Sequence, residues 1–256
     1  MNVREQRLER ANLECVLHRL KLESTEDAAE AGVVRGMWRT AEQHRSNTTL
    51  LLSNPRIITS GWAAWCRTTS DERRVIFLFL MPGDVITPTI GGGSNSCDLV
   101  TLTRLCSVDA TDVAAAGAEP APNVRAWIDG ADHDYRSRLL DHLAWLNDGS
   151  AVRNLARLLL ELHDRALAAG RCVGGRFDLP IGQRVLAQAL GLSVVQVNKV
   201  LQQLRDADLL TAERGWMRID DEPALRNLAD GVTKVRKRLA PAAGTTQVAP
   251  SLVPAE

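Results

Sequence analysis

Several features that would narrow the function at once are missing from this sequence of 256 residues. Its 31 basic and 31 acidic residues cancel, so no overall positive charge draws the chain to nucleic acid. No apolar run approaches the length of a membrane-spanning helix, and the longest, Val75–Met81, is typical of a buried strand. The charged residues 1–10 lack the apolar stretch of a signal peptide. These absences predict a soluble cytoplasmic protein, long enough for two modest domains.

The motifs of an enzyme are absent as well. We find no P-loop, no nucleophile elbow and no cluster of metal ligands. The five histidines have no zinc spacing. The five cysteines are scattered, which is typical of free thiols in a reducing cytosol; they are Cys15, Cys66, Cys97, Cys106 and Cys172. We therefore predict no catalytic site and no metal site.

The most informative stretch begins at Gln183. Apolar and small residues recur there at helical spacing: Leu186, Ala187, Leu190, Leu192, Val197 and Val200. Ala187 lets two helices approach closely, and Gly191 can adopt the left-handed conformation of a turn between them. Ser193 can cap the second helix, which we predict over Ser193–Ala207. The pattern predicts a helix-turn-helix.

The residues after this motif indicate a short hairpin. The chain returns to the core at Leu209 and Leu210, breaks over Thr211–Gly215, and alternates like a strand over Trp216–Ile219. A hairpin after a helix-turn-helix predicts a winged helix. The alternative is a three-helix packing unit with no role in nucleic-acid binding. Residues 171–219 contain seven basic and four acidic residues, a modest positive footprint for DNA.

These residues resemble the Crp/Fnr family of bacterial transcription regulators. The likeness rests on Leu190–Arg205, LGLSVVQVNKVLQQLR, and extends back through Leu179–Gln183, LPIGQ. It implies a homodimer that binds double-stranded DNA in the bacterial cytoplasm at the nucleoid, with RNA polymerase as a further partner. It also implies an α+β fold, in which an N-terminal β-roll of the cupin or jelly-roll kind precedes a long dimerisation helix and a C-terminal winged helix-turn-helix domain.

The N-terminal half fits this expectation. Period-two segments predict strands over Trp62–Arg67, Val75–Leu80 and Asp98–Val108, with turn residues between them. Residues 58–64, 73–76 and 79–84 resemble the cyclic-nucleotide-binding-type barrel of the family. In that barrel, Gly61 and the Pro82-Gly83-Asp84 turn form corners.

Composition shifts divide the chain into four parts. We predict a sensor β-roll over residues 1–122, a dimerisation helix over 123–148, a winged helix-turn-helix domain over 149–239 and a disordered tail over 240–256. A connector of small residues, Ala110–Pro122, ends the roll. Residues 147–149 form a hinge, and Gly170–Phe177 connects to the DNA-binding motif.

Apolar residues repeat every three or four positions through the long helix. Contact between two such helices requires this pattern, although the same stripe can pack against its own β-roll, and both can hold in part. Since the family has its dimer helix here, we predict dimer contacts at Val124, Ile128, Ala131, Tyr135, Leu139, Leu143 and Leu146.

The sensor half lacks the residues that a cyclic-nucleotide pocket of the family requires, which are a Gly-Glu pair for the ribose and an arginine for the phosphate. No glutamate occurs between Arg73 and Ala118, and Gly91–Gly93 predicts a flexible loop. We therefore expect no cyclic AMP. An iron–sulfur cluster is not expected either, because the family's cluster needs grouped N-terminal cysteines and only Cys15 is present. A redox-sensitive thiol at Cys172 is a further alternative, and the effector is left open.

A recognition helix presents its N-terminal side chains to base edges in the major groove. Many family members have Arg and Glu where this chain has Val194 and Val195. The two valines cannot form hydrogen bonds with guanine or cytosine, but their methyls can contact thymine. Specificity is then expected from polar residues and DNA shape. The predicted base-reading residues are Ser193, Val194, Val195, Gln196, Asn198 and Lys199. The predicted phosphate contacts are Gln183, Arg184 and Arg214. The alternative for each of these three is an exposed polar side chain that does not contact DNA.

Two functions follow as hypotheses. The first is a homodimeric, sequence-specific DNA-binding regulator whose effector domain lacks the cyclic-nucleotide residues. The second is a small-molecule or redox sensor whose winged helix contacts a protein rather than DNA.

Overall fold

The computed structural model describes residues 14, 16–20, 28–51, 53–88, 97–115, 121–147 and 149–231. The predicted disordered tail, the glycine loop at residues 91–93 and Cys15 lie outside these residues. No helix that the structure describes is both long enough and apolar enough to span a membrane.

Eight short strands build the N-terminal half as two antiparallel sheets. They are β1 (Glu42–His44), β2 (Thr49–Leu50), β3 (Arg56–Ser60), β4 (Ala63–Thr68), β5 (Arg74–Leu80), β6 (Val85–Ile86), β7 (Asp98–Thr101) and β8 (Leu105–Asp109). One sheet has the order β1-β8-β3-β6 and the other has the order β2-β7-β4-β5. The single strand predicted over residues 98–108 is therefore wrong, because the chain turns at residues 102–104 and enters the other sheet.

The two predicted corners of the roll are confirmed by their backbone conformations. Gly61 has φ +81°, and a Cβ atom there would lie 2.0 Å from the carbonyl oxygen of Arg104, so only glycine fits. Gly83 has φ +92° in the Pro-Gly-Asp turn. The backbone N–H of Met81 donates to a carboxylate oxygen of Asp84 at 2.7 Å, which closes this turn.

Three helices pack on the roll: α1 (Ala28–Met37), α2 (Thr111–Ala115) and α3 (Pro122–Asn147). Helix α2 lies within the stretch predicted as a connector and corrects that prediction. The buried carboxylate of Glu30 accepts hydrogen bonds from the Val124 backbone N–H at 2.7 Å and from the Asn123 side chain at 2.8 Å. This carboxylate satisfies donors at the N-terminus of α3, where the helix dipole also favours negative charge.

The predicted dimer stripe on α3 divides into two parts. Its first four residues, Val124, Ile128, Ala131 and Tyr135, are buried in the core of the roll. At these positions the stripe packs against its own roll, one of the two alternatives, and a dimer contact there stays a prediction. The apolar residues further along the helix are more open to solvent, with Leu140 67%, Leu143 50% and Leu146 38% exposed.

The C-terminal half contains four helices and a four-stranded antiparallel sheet of order β11-β12-β10-β9. The elements are α4 (Ala151–Ala168), β9 (Cys172–Val173), β10 (Arg176–Leu179), α5 (Gln183–Leu190), α6 (Val194–Asp206), β11 (Leu210–Glu213), β12 (Gly215–Ile219) and α7 (Glu222–Ala229). Two predictions are corrected here. The connector at residues 170–177 contains β9 and the start of β10, and the break at residues 211–215 is mostly strand β11.

The two halves share one apolar core. Trp62, Phe79 and Met81 of the roll belong to the same buried cluster as Leu158 of α4 and Leu186 of α5. The imidazole of His142 on α3 lies 2.9 Å from the Ala189 carbonyl oxygen, another contact between the halves. Helices α4 and α5 are thus packed directly on the β-roll.

Candidate nucleic-acid interface

Helices α5 and α6 form the predicted helix-turn-helix. Gly191 has φ +63°, the left-handed conformation expected of the turn, and the Leu192 N–H donates to the Ala187 carbonyl at 3.1 Å. Ala187 is buried where the helices meet, together with Leu186 and Val197. The sequence prediction of two helices joined by a tight glycine turn is confirmed.

The start of α6 is held by a reciprocal pair of hydrogen bonds. The Gln196 backbone N–H donates to the Ser193 hydroxyl at 3.2 Å, and the Ser193 backbone N–H donates to the Gln196 side-chain oxygen at 2.9 Å. This capping box satisfies two backbone donors and fixes the first turn of the helix. The cap at Ser193 is confirmed, whereas the part played by Gln196 was not predicted from the sequence.

The structure places the predicted base-reading residues together on the exposed first turns of α6. Val195 is 76% exposed and Val194 is 39% exposed. The side chains of Ser193, Asn198 and Lys199 are also exposed, while Val197 is buried in the core between the helices. One face of the helix therefore packs and the other faces solvent.

Two of the predicted phosphate contacts, Gln183 and Arg214, line one groove with Leu201 and Arg205 of α6. Gln183 and Arg184 are the first residues of α5, and Arg214 lies between β11 and β12 at the tip of the wing. Among the residues that the structure describes, Arg184, Lys199 and Arg214 have no acidic partner. Three cations of the helix-turn-helix and wing are thus free to bind an anion.

The wing itself is stiffened by pairs that the sequence pattern did not reveal. The Arg176 guanidinium lies over the Trp216 ring at 4.0 Å from its centroid. The Arg218 side chain donates to Asp220, and the Thr211 hydroxyl donates to the same carboxylate at 2.7 Å. These contacts join β10, β11 and β12 and support the position of Arg214.

A buried ion pair connects this interface to the roll. Arg165 of α4 donates to the Asp84 carboxylate in the Pro-Gly-Asp turn, to the Phe79 carbonyl at 2.9 Å and to Glu161 at 2.9 Å. Arg138 of α3 lies 3.9 Å from the same carboxylate. Burial alone would raise the pKa of Asp84, but Arg165 and Arg138 outweigh it and hold this pKa below its ordinary value.

Side chains of α3 and of the roll fill the space between them. Tyr135 is almost fully buried, and its hydroxyl donates to the Val85 carbonyl in β6. The Thr87 hydroxyl donates to Asp132 on the same helix. Within the described ranges, no three histidine, cysteine, aspartate or glutamate side chains gather as metal ligands.

The comparisons with known proteins agree with this geometry. Residues 154–228 match the family model of the Crp-like helix-turn-helix domain. The nitrogen fixation regulation protein FixK of Azorhizobium caulinodans is 27% identical over 180 residues, covering 68% of this chain and 71% of that protein.

Solved structures show the same fold. FixK2 from Bradyrhizobium japonicum has a TM-score of 0.61 at 21% identity, covering 74% of this chain and 96% of that one. A transcriptional regulator of the Crp/Fnr family from Thermus thermophilus has a TM-score of 0.55 at 14% identity, covering 74% of this chain and 98% of that one.

A β-roll joined to a Crp-like helix-turn-helix domain defines the class of this protein. Residues 154–228 form a Crp-like helix-turn-helix domain, and the chain as a whole is similar to transcription regulators of the Crp/Fnr family.

Proposed function

We propose that the protein is a homodimer that binds specific sequences of double-stranded DNA through α6, within the cytoplasm and with RNA polymerase as a partner. The observation that carries this proposal is the exposed, capped first turn of α6, in a helix-turn-helix and wing whose Arg184, Lys199 and Arg214 have no acidic partner among the described residues. Such a surface offers side chains to base edges and cations to phosphates. The proposal includes no catalytic activity.

The DNA-binding part is tested by fluorescence anisotropy with genomic fragments and a salt titration. Binding should weaken steeply as salt rises, because phosphate contacts release counterions. Lys199→Ala should lower the affinity for a specific site by about 1–3 kcal/mol if this residue reads a base. Arg104→Ala, at an exposed position on the roll, is the matched control and should bind like the wild type. An equal loss on every sequence would instead assign Lys199 to a phosphate.

The homodimer is supported by the exposed part of α3. Leu140, Leu143 and Leu146 form an apolar face that is continuous with the half-buried Leu139, and its burial between two protomers would be favourable. Leu143→Glu should convert a dimer into a monomer in light scattering, whereas Asp141→Lys, at an exposed position on the opposite face of α3, should not. A monomeric wild type at micromolar concentration would contradict this part of the proposal.

The effector domain is proposed to take neither cyclic AMP nor an iron–sulfur cluster. Two observations argue against cyclic AMP: the missing glutamate, and the hydrogen bond from the Tyr135 hydroxyl to the Val85 carbonyl, which closes the space between α3 and β6. Titration calorimetry with cyclic AMP should therefore show no heat of binding. Burial raises the pKa of the Cys172 thiol, which lowers its thiolate fraction and disfavours the redox alternative. Salt-insensitive binding to a protein, with no affinity for DNA, would favour the second candidate function.

A further inference from the structure

Two adjacent valines lie exposed on the first turn of α6, and neither helix propensity nor packing explains them. Valine is a weak helix former because its branched side chain restricts rotation. Neither Val194 nor Val195 belongs to the apolar core of the described residues, and Val195 is the more exposed of the two at 76%. The remaining physical explanation for these two exposed valines is a contact with another molecule.

The neighbouring Gln196 is restricted by the capping box. Its side-chain oxygen accepts from the Ser193 backbone N–H at 2.9 Å, which occupies one of its two lone pairs, while both donors of its NH2 group remain for a ligand. Bidentate reading of adenine requires both an acceptor and a donor from one amide. Gln196 in this conformation is suited to donating, and its partner on a base edge must be an acceptor.

We propose that Val195, with Val194 beside it, selects thymine by its 5-methyl group, and that Gln196 donates to an acceptor such as thymine O4. The 5-methyl is the apolar group that base edges present in the major groove, and O4 is an acceptor on the same base. This inference rests on the proposed DNA-binding function. It states which base that function reads and through which atoms.

The experiment starts from sites obtained by in vitro selection with the full-length protein and random duplexes. Each thymine of the selected half-site is then replaced by uracil, which removes the methyl and nothing else. Affinities are measured by competition anisotropy for the wild type, Val194→Ala, Val195→Ala and Val173→Ala. Val173 is an equally exposed valine on β9 and serves as the matched control.

The wild type should lose about fourfold in affinity at the uracil that faces Val195, the contribution of one buried methyl. Val195→Ala should bind the thymine and uracil duplexes alike, and Val173→Ala should keep the wild-type ratio. Replacing the same thymine–adenine pair by a 5-methylcytosine–guanine pair keeps the methyl but exchanges O4 for an amino donor. The wild type should lose more than about fourfold there, because Gln196 then faces a donor.

The possible outcomes distinguish a failure of the thymine assignment from a failure of the proposed DNA-binding function. Specific binding that is indifferent to uracil at every half-site thymine would overturn the thymine assignment and leave DNA binding intact. Uracil sensitivity that persists in both α6 valine variants would also overturn it, since the methyl would be read by another residue. Failure to select any sequence would contradict the proposed function itself.

Discussion

Two sets of charged side chains, one between the β-roll and α4 and the other on the winged helix, differ in how they are paired. In the roll, Asp84 is 5% exposed at its side chain and is held by Arg165, whose side chain is 10% exposed. In the winged helix, Arg184, Lys199 and Arg214 have no acidic partner among the described residues. A charge that is buried must be paired to be tolerated, whereas an exposed cation costs little and can serve a ligand. The first kind of charge holds the fold and the second is available for DNA.

The largest expected effect comes from leaving Asp84 without its partner. Arg165→Met should lower the free energy of unfolding by up to about 3–5 kcal/mol, because the buried Asp84 carboxylate loses its hydrogen-bonded cation and keeps only Arg138, 3.9 Å away. Urea denaturation measures this loss. The double variant Asp84→Asn, Arg165→Met should recover part of it by removing both charges. Arg73→Met, which breaks an exposed pair with Asp71, is the control. If Arg165→Met lost no more stability than this control, the distinction between buried and exposed pairs would be contradicted.

Acid should weaken the same pair. The pKa of Asp84 is lowered in the fold, so its contribution is complete above its ordinary pKa of about 4 and is lost as the pH falls through the lower folded value. The stability difference between wild type and Asp84→Asn should therefore be constant from about pH 7 to pH 5 and shrink below about pH 4. Thermal unfolding across this range checks the expectation, and a difference that grew in acid would contradict the sign.

A smaller effect is expected at the cap of α6. Ser193→Ala removes the acceptor for the Gln196 N–H and should cost about 0.5–2 kcal/mol of stability. Ser193→Asp retains an acceptor and is the control. Chemical denaturation gives the stabilities, and an alanine variant as stable as the aspartate variant would show that the capping box does not stabilise the helix.

The smallest effect on the fold is expected at the tip of the wing. Arg214→Gln should leave stability within about 0.5 kcal/mol of wild type, since among the described residues the side chain has no acidic partner to lose. Its effect should appear in DNA binding, where the slope of log affinity against log salt should fall by about one. An unchanged slope would show that Arg214 is an exposed side chain that does not contact a phosphate.

The helix-turn-helix could be predicted from sequence because its determinants are local. The small residue at Ala187, the glycine at 191 and the cap at Ser193 each act within a few positions, and their spacing is visible in the chain. The sequence predicts the wing but not its first strand, because Ala212 and Glu213 have low strand propensity and form a strand by pairing with Met217 and Trp216.

Contacts between distant residues were beyond the sequence pattern. Nothing in the chain connects Asp84 with Arg165, which lie far apart in sequence and meet only when α4 packs on the roll. The stripe on α3 shows the same limit. Its regular spacing predicts an apolar face, but the position at which the roll stops covering that face, after Tyr135, depends on the tertiary fold.

The pair of Asp84 and Arg165 has a consequence for how the molecule unfolds. Separating the roll from α4 would leave both charges without each other and uncover the apolar cluster that the halves share. The roll and the winged helix should therefore melt in a single cooperative transition, and neither half should be expected to keep its native stability when expressed alone.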